Sequence, residues 1–242
     1  MDTAERLIES ARALLWERGY VGTSPKAIQE RAGAGQGSMY HHFRGKPDLA
    51  VAAMRRSAAE LCAQADAQLS AGRTALERAG GYLLCERDAL RGCRVGRMAM
   101  DPDVIDGEEL RQPVQETFDW LRTRLAGIVA DGIASGELRP GLDPRDTAAA
   151  LAAVVQGGYV LARAAGSQEP FDQAVRGAVG LLSANAAIGV AGGSGTARAD
   201  STGVTESSAE SPAEPAAESA GSAGGSSADA APGPAAGRPP TT

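Results

Sequence analysis

Apolar residues recur at intervals of three and four along most of the chain, and strict alternation is nearly absent, so the fold is predicted to be all-α. Leu7, Ile8, Ala11, Leu14 and Leu15 share one stripe of a first helix at about Thr3 to Arg18. Gly19 ends it as a residue suited to a left-handed cap. In Thr23-Ser24-Pro25, Ser24 can cap a short second helix of about Pro25 to Arg31. Pro25 suits its first position, where the N–H it lacks would go unpaired anyway. Ala32-Gly33-Ala34-Gly35 turns tightly into a third helix of about Gln36 to Phe43, which Arg44-Gly45-Lys46 ends. Two short helices joined by a glycine-bearing turn, behind a longer brace, have the organisation of a helix-turn-helix.

Pro47 opens a long helix to about Leu69, with Leu49, Ala50, Ala53, Met54, Leu61 and Leu69 on its buried side. Further helices are predicted at about Thr74 to Leu90 and Arg94 to Met100, the latter interrupted by Asp101-Pro102-Asp103. A long helix follows from about Glu108 to Ser135, with Pro113 near its true start or at a kink. Helices at Pro144 to Ala165 and Pro170 to Ile188 complete the series. Beyond Gly189 the chain is Gly, Ala, Ser, Pro and Thr with scattered acids, and large apolar residues all but vanish after Val204. Such a segment cannot bury enough surface to offset its conformational entropy, so 190–242 is expected to be a disordered tail.

A formal charge of -6 argues at first against a nucleic-acid partner. The tail holds six acids against two arginines, a net of -4, which leaves -2 for residues 1–189. In residues 1–55 eight Lys and Arg outnumber six Asp and Glu, so the basic excess lies where the helix-turn-helix lies. Met1 to Ser10 carries Asp2, Glu5 and Glu9 with no apolar run, and no stretch offers about 18 uninterrupted apolar residues, so a cytoplasmic protein without membrane contact is expected. Cys62, Cys85 and Cys93 show no CxxC spacing, which argues against a disulfide scaffold or a zinc site. Both histidines, His41 and His42, are adjacent, and neighbours on a helix point about 100° apart, so no metal site is expected from them. No Ser-His-Asp, Cys-His, paired-carboxylate or phosphate-loop pattern occurs. The chain is therefore expected to be neither an enzyme nor a cofactor protein.

Glu17-Arg18-Gly19-Tyr20, Gly22-Thr23-Ser24, Glu30-Arg31-Ala32-Gly33, Gly37-Ser38-Met39-Tyr40-His41-His42-Phe43 and Lys46-Pro47-Asp48-Leu49 occur in that order. This series resembles the TetR family of one-component transcriptional regulators. Farther on, Gly92-Cys93-Arg94-Val95-Gly96-Arg97, and Gln156-Gly157-Gly158-Tyr159 followed by Leu161-Ala162-Arg163, are similar to segments of its LmrA/YxaF-like branch. The resemblance implies a helix-turn-helix DNA-binding domain at 1–46 and a helical effector-binding and dimerisation domain at 47–189.

In the third helix, Gln36, Gly37 and Ser38 occupy the amino-terminal turn, which in a helix-turn-helix points at base edges. Gln36 can bond adenine through its amide, Ser38 a base or a phosphate, and Gly37 permits close backbone approach. The alternative is that Gln36 and Ser38 only cap the helix. The resemblance implies phosphate contacts for Tyr40 and Lys46. His41 is the better phosphate candidate of the two imidazoles, His42 is left to packing or the helix end, and Phe43 belongs to the core. Thr23 and Ser24 open the second helix, whose N-terminus can dock a phosphate with help from Lys26.

Tyr82, Met98, Met100, Phe118, Trp120 and Tyr159 lie on the helices expected to surround an effector cavity. Few acids fall among them, which favours a neutral, largely hydrophobic or aromatic effector. The helices at 144–165 and 170–188 are rich in Ala, Val and Leu with Gly157, Gly158, Gly177 and Gly180, consistent with a four-helix homodimer interface. The expected function is a homodimeric repressor that leaves a near-palindromic double-stranded operator when an effector binds. An activator, a thiol sensor, an architectural DNA-binding protein without effector and a helical enzyme are the alternatives.

Overall fold

Asp2 accepts the amide N–H of Glu5 at 2.9 Å and so starts α1 (Thr3–Arg18) in the computed structural model, which describes residues 2–187. Ser24 caps α2 (Pro25–Ala32) by accepting from Ala27 N–H at 3.1 Å, with Pro25 in the first turn. Gly33 takes the left-handed conformation, φ 59° and ψ 37°, and its N–H meets the last carbonyls of α2. That conformation reverses the chain into α3 (Gln36–His42). The further helices are α4 (Lys46–Ala71), α5 (Ala75–Leu84), α6 (Arg94–Met98), α7 (Pro102–Asp106), α8 (Glu108–Ala134), α9 (Pro144–Ala165) and α10 (Glu169–Ser183).

Two apolar cores form. The first gathers Leu7, Ala11, Leu14, Leu15, Ile28, Met39 and Leu49 from α1 to α4. It also draws in Val95 and Met98 of α6, Val104 of α7, and Leu110 and Val114 of α8. The three-helix unit therefore does not close its core on its own, and α6 to α8 supply one wall. Each large aliphatic side chain buried there contributes about 1.5–3 kcal/mol. The second core lies between the far half of α4 and α5, α8, α9 and α10, with Leu69, Leu83, Leu125, Ile128 and Phe171 at its centre.

Several elements differ from the expectation. The helix expected to reach Leu90 stops at Leu84 because the Arg87 guanidinium takes the carbonyls of Tyr82, Leu83 and Cys85, at 2.5, 3.0 and 3.0 Å. Those acceptors need no further turn of helix. Asp101-Pro102-Asp103 does more than interrupt a helix, since Pro102 starts α7. Gly19 has positive φ, 77°, but its ψ of 179° lies outside the left-handed helical region. α8 runs unbroken through Pro113. α10 ends at Ser183, short of Ile188, and the next residues turn so that Leu138 and Ala186 form an isolated antiparallel bridge. The expected tail at 190–242 lies outside the described residues.

Candidate nucleic-acid interface and ligand cavity

The N-cap position of α3 is Gly35, which offers no side chain, and neither Gln36 nor Ser38 makes a capping bond. The capping alternative for those two residues thus has no hydrogen bond to support it. Gln36 and Gly37 are exposed, Ser38 is half-buried, and a Cβ added at Gly35 or Gly37 would meet nothing within 4 Å. Met39 behind them is fully buried and fixes the helix to the core. The first turn of α3 is therefore held from behind and unobstructed in front.

Tyr40 is 52% exposed, and its hydroxyl has no protein partner among the described residues. His41 and His42 are both exposed, edge to face at 4.9 Å, and His42 lies 6.4 Å from the half-buried Phe43 ring. Ser24 and Lys26 are exposed at the start of α2, with Lys26 3.8 Å from Glu30. Thr23 is a correction to the expected interface. It is 1% exposed, its hydroxyl donates to Gly19 carbonyl at 2.7 Å and its N–H to Tyr20 carbonyl at 3.1 Å. Thr23 holds the α1–α2 turn and offers nothing to a phosphate.

Lys46 is half-buried with Nζ 3.9 Å from the centre of the Tyr20 ring, a cation–π contact. Burial lowers its pKa, opposed by the nearby carboxylates Asp103 and Asp101. The more exposed cation beside α3 is Arg44, whose side chain is 84% exposed and only loosely paired, 3.6 Å from Asp48 and 4.0 Å from Glu109. In the sequence Arg44 counts toward the helix stop and the basic excess of residues 1–55, and its place two residues before Lys46 is the signal that sets it beside α3.

A cavity of about 530 Å³ opens between α4, α5, α8, α9 and the connection from Cys85 to Arg94. Of the six residues expected there, Tyr82, Phe118 and Tyr159 line it. Met98 is instead buried in the first core, because α6 packs on α1 and α4. Met100 is 75% exposed, and Trp120 packs against the second core. Two residues along a helix turn through about 200°, which separates Trp120 from Phe118. The expectation of few acids is also corrected, since Glu60, Glu86 and Asp88 join the wall together with Gln64, Gln68 and Gln156. Burial pushes the Tyr82 phenol up to about 12 and raises Tyr159 further, so both stay neutral hydrogen-bonding groups.

Trp16, which sequence reasoning passed over because it lies off the leucine stripe of α1, also lines the cavity. Its indole N–H donates to Gly92 carbonyl at 3.0 Å, and the guanidinium carbons of Arg91 and Arg94 stand 3.6 and 4.3 Å from its ring centre. Arg94 reaches Glu60 at 3.5 Å, and Glu60 also accepts from the buried Arg12 of α1. At the far end of α6, Asp101 is 8% exposed and accepts the Val21 N–H at 2.9 Å. One wall of the cavity is thus bonded directly to α1, the helix that braces α2 and α3.

Comparison with known proteins places both halves of this arrangement. A family model described as "Bacterial regulatory proteins, tetR family" matches residues 7–53, and one described as "Tetracyclin repressor-like, C-terminal domain" matches residues 82–178. The chain belongs to the TetR family. The description matched by the second half is broader than the LmrA/YxaF-like branch.

The fatty acid metabolism regulator protein of Bacillus subtilis is 25% identical over 141 residues, 58% of this chain and 73% of its own. The HTH-type transcriptional repressor KstR2 of Mycolicibacterium smegmatis is 26% identical over 146 residues, 57% and 69% of the two chains. The crystal structure of a TetR transcriptional regulator from Chloroflexus aurantiacus superposes with a TM-score of 0.69 at 26% identity, covering 76% of this chain and 96% of the other. This TetR-family chain is a DNA-binding transcriptional regulator, with α2 and α3 as its helix-turn-helix. The segments Gly92 to Arg97 and Gln156 to Tyr159, which resembled family segments without an assigned role, meet at one cavity: Gly92, Cys93, Arg94, Gln156 and Tyr159 all line it.

Proposed function

We propose that the protein is a cytoplasmic homodimeric repressor acting on a double-stranded DNA operator. Two copies of α3 enter successive major grooves of a near-palindromic operator, and a small amphipathic effector in the cavity favours release. In this reading residues 1–46 form the reading head and 47–189 the effector and dimerisation body. Gln36, Gly37 and Ser38 face bases, while Ser24, Lys26, Tyr40, His41 and Lys46 face phosphates. The observation that carries it is the first turn of α3, uncapped, exposed and anchored from behind by Met39.

Dimerisation is supported by α9 and α10, where Val160, Leu161 and Leu181 are 55, 54 and 72% exposed. Only 33% of the most apolar stretch of α9 is buried within the chain. A second copy is the partner that hides such a face and doubles the contacts of a short reading helix. For release, the effector must bind the released form more tightly, with a coupling of typically about 1–3 kcal/mol. Selection of bound duplexes from a random pool tests the reading. Enrichment of an inverted repeat with half-sites about one helical turn apart is the expected result; no enriched sequence, or only single half-sites, contradicts it.

A further inference from the structure

A second cavity, of about 490 Å³, lies between the α5–α6 connection and α10, lined on one side by Leu84 to Arg87 and on the other by Phe171, Asp172 and Arg176. It shares Cys85, Glu86 and Arg87 with the cavity described above. Arg87 stands at the partition, its guanidinium carbon 4.9 Å from the Tyr82 ring centre and 5.9 Å from that of Phe171. Nη1 and Nη2 donate to the three carbonyls at the end of α5, which fixes the group in place. A guanidinium has five N–H donors, so its Nε–H and one Nη2–H meet no carbonyl or carboxylate among the described residues, and the Tyr82 hydroxyl is the polar group beside them. No carboxylate of the described residues lies within 4.0 Å of it.

The charges around the two cavities differ in how far water compensates them. Glu86 and Asp88 are exposed, Glu60 is matched by Arg12 and Arg94, Asp172 accepts from Gln168, and Arg176 is paired with Glu169. Arg87 is half-buried and lacks a carboxylate, so it is the charge that gains most from a ligand of opposite sign. We propose that the two cavities work as one bipartite site for an amphipathic carboxylate. Arg87 anchors the carboxylate at the partition, and the ring-lined cavity of Tyr82, Phe118 and Tyr159 takes the apolar body. The neutral Tyr82 phenol beside Arg87 can donate to the same head group. This assignment rests on the proposed effector reading and adds the charge of the ligand to it.

Calorimetric titration of the full chain with decanoate, decanol and decylamine, which share one tail, isolates the head group. The expected order is decanoate tightest, by about tenfold over decanol, the scale of one charge-assisted hydrogen bond. Arg87→Gln should bring decanoate down to the level of decanol and leave decanol unchanged. Because Arg87 also holds the end of α5, Arg87→Lys serves as the companion variant, keeping the cation and hence the preference for the acid. Equal binding of all three probes, or tightest binding of decylamine, overturns the carboxylate assignment while the cavity reading stands. Absence of binding by every probe overturns both.

Discussion

The indole N–H of Trp16, on the first helix of the DNA-reading head, donates to the carbonyl of Gly92 in the cavity wall at 3.0 Å, across 76 residues of sequence. Arg91 and Arg94 cover the same indole, so the contact combines a hydrogen bond with two cation–π contacts. Movement of the wall at Gly92 is therefore passed to α1 directly. Trp16→Phe keeps a ring for the guanidinium groups and removes the bond, and should lower stability by about 1 kcal/mol. Urea unfolding of the variant checks this; an unchanged midpoint would show that the bond does not hold head to wall.

In the proposed interface Lys46 and Tyr40 differ in freedom, since Lys46 lies 3.9 Å from the Tyr20 ring centre and Tyr40 is 52% exposed. Tyr40→Phe removes one phosphate donor and should weaken binding to every sequence alike, with the salt slope retained. Lys46→Ala should weaken binding uniformly and flatten the slope by about one unit of charge. Band shifts across a salt series separate the two. An unchanged slope for Lys46→Ala would mean that Lys46 stays on the Tyr20 ring and braces the head without touching phosphate.

The exposed apolar face of α9 and α10 gives a test of assembly that leaves the head untouched. Leu181→Glu together with Val160→Glu places two charges on that face and should shift the protein from dimer to monomer in sedimentation. Far-UV circular dichroism should stay the same, because both side chains are largely exposed within the chain. A dimer that survives both changes would move the interface elsewhere.

Acid sensitivity follows from the carboxylates that clamp α1 to α4. Burial works to raise the Glu9 pKa, but bonds and charge from Arg12 and Arg56 outweigh it and hold the group below 4.5. A carboxyl lowered on folding stabilises the folded chain above its ordinary pKa, and that gain is lost as pH falls through the lowered value. Urea midpoints should therefore fall on acidification below about pH 4.5, and Glu9→Gln should flatten that fall while costing less than about 1 kcal/mol near neutrality, because the pair is part-exposed. A profile identical to that of the unchanged protein would remove Glu9 from the clamp.

Local chemistry made the helix-turn-helix legible in sequence. Ser24, Pro25 and Gly33 act within a few residues of themselves, and the leucine stripe of α1 needs no knowledge of its partner to be seen. The cavity depends on contacts distant in sequence and was read only in part. Arg87 stops α5 with a side chain three residues beyond the helix end, Trp16 reaches a glycine in another part of the chain, and Met98 faces the head because α6 packs there. Thr23 was misjudged for a related reason, since a hydroxyl at a helix start reads as available until its burial is known. Tyr82, Phe118 and Tyr159 were found because large aromatic residues between helices have few other places to go.

Base reading by the first turn of α3 is tested most directly by Gln36→Ala. Affinities of the unchanged protein and the variant are measured on a selected operator and on its single-base variants at fixed salt. The variant should lose preference at one symmetric base-pair position, about 1–3 kcal/mol per half-site, and keep it elsewhere. An equal loss on every operator variant would contradict base reading by Gln36.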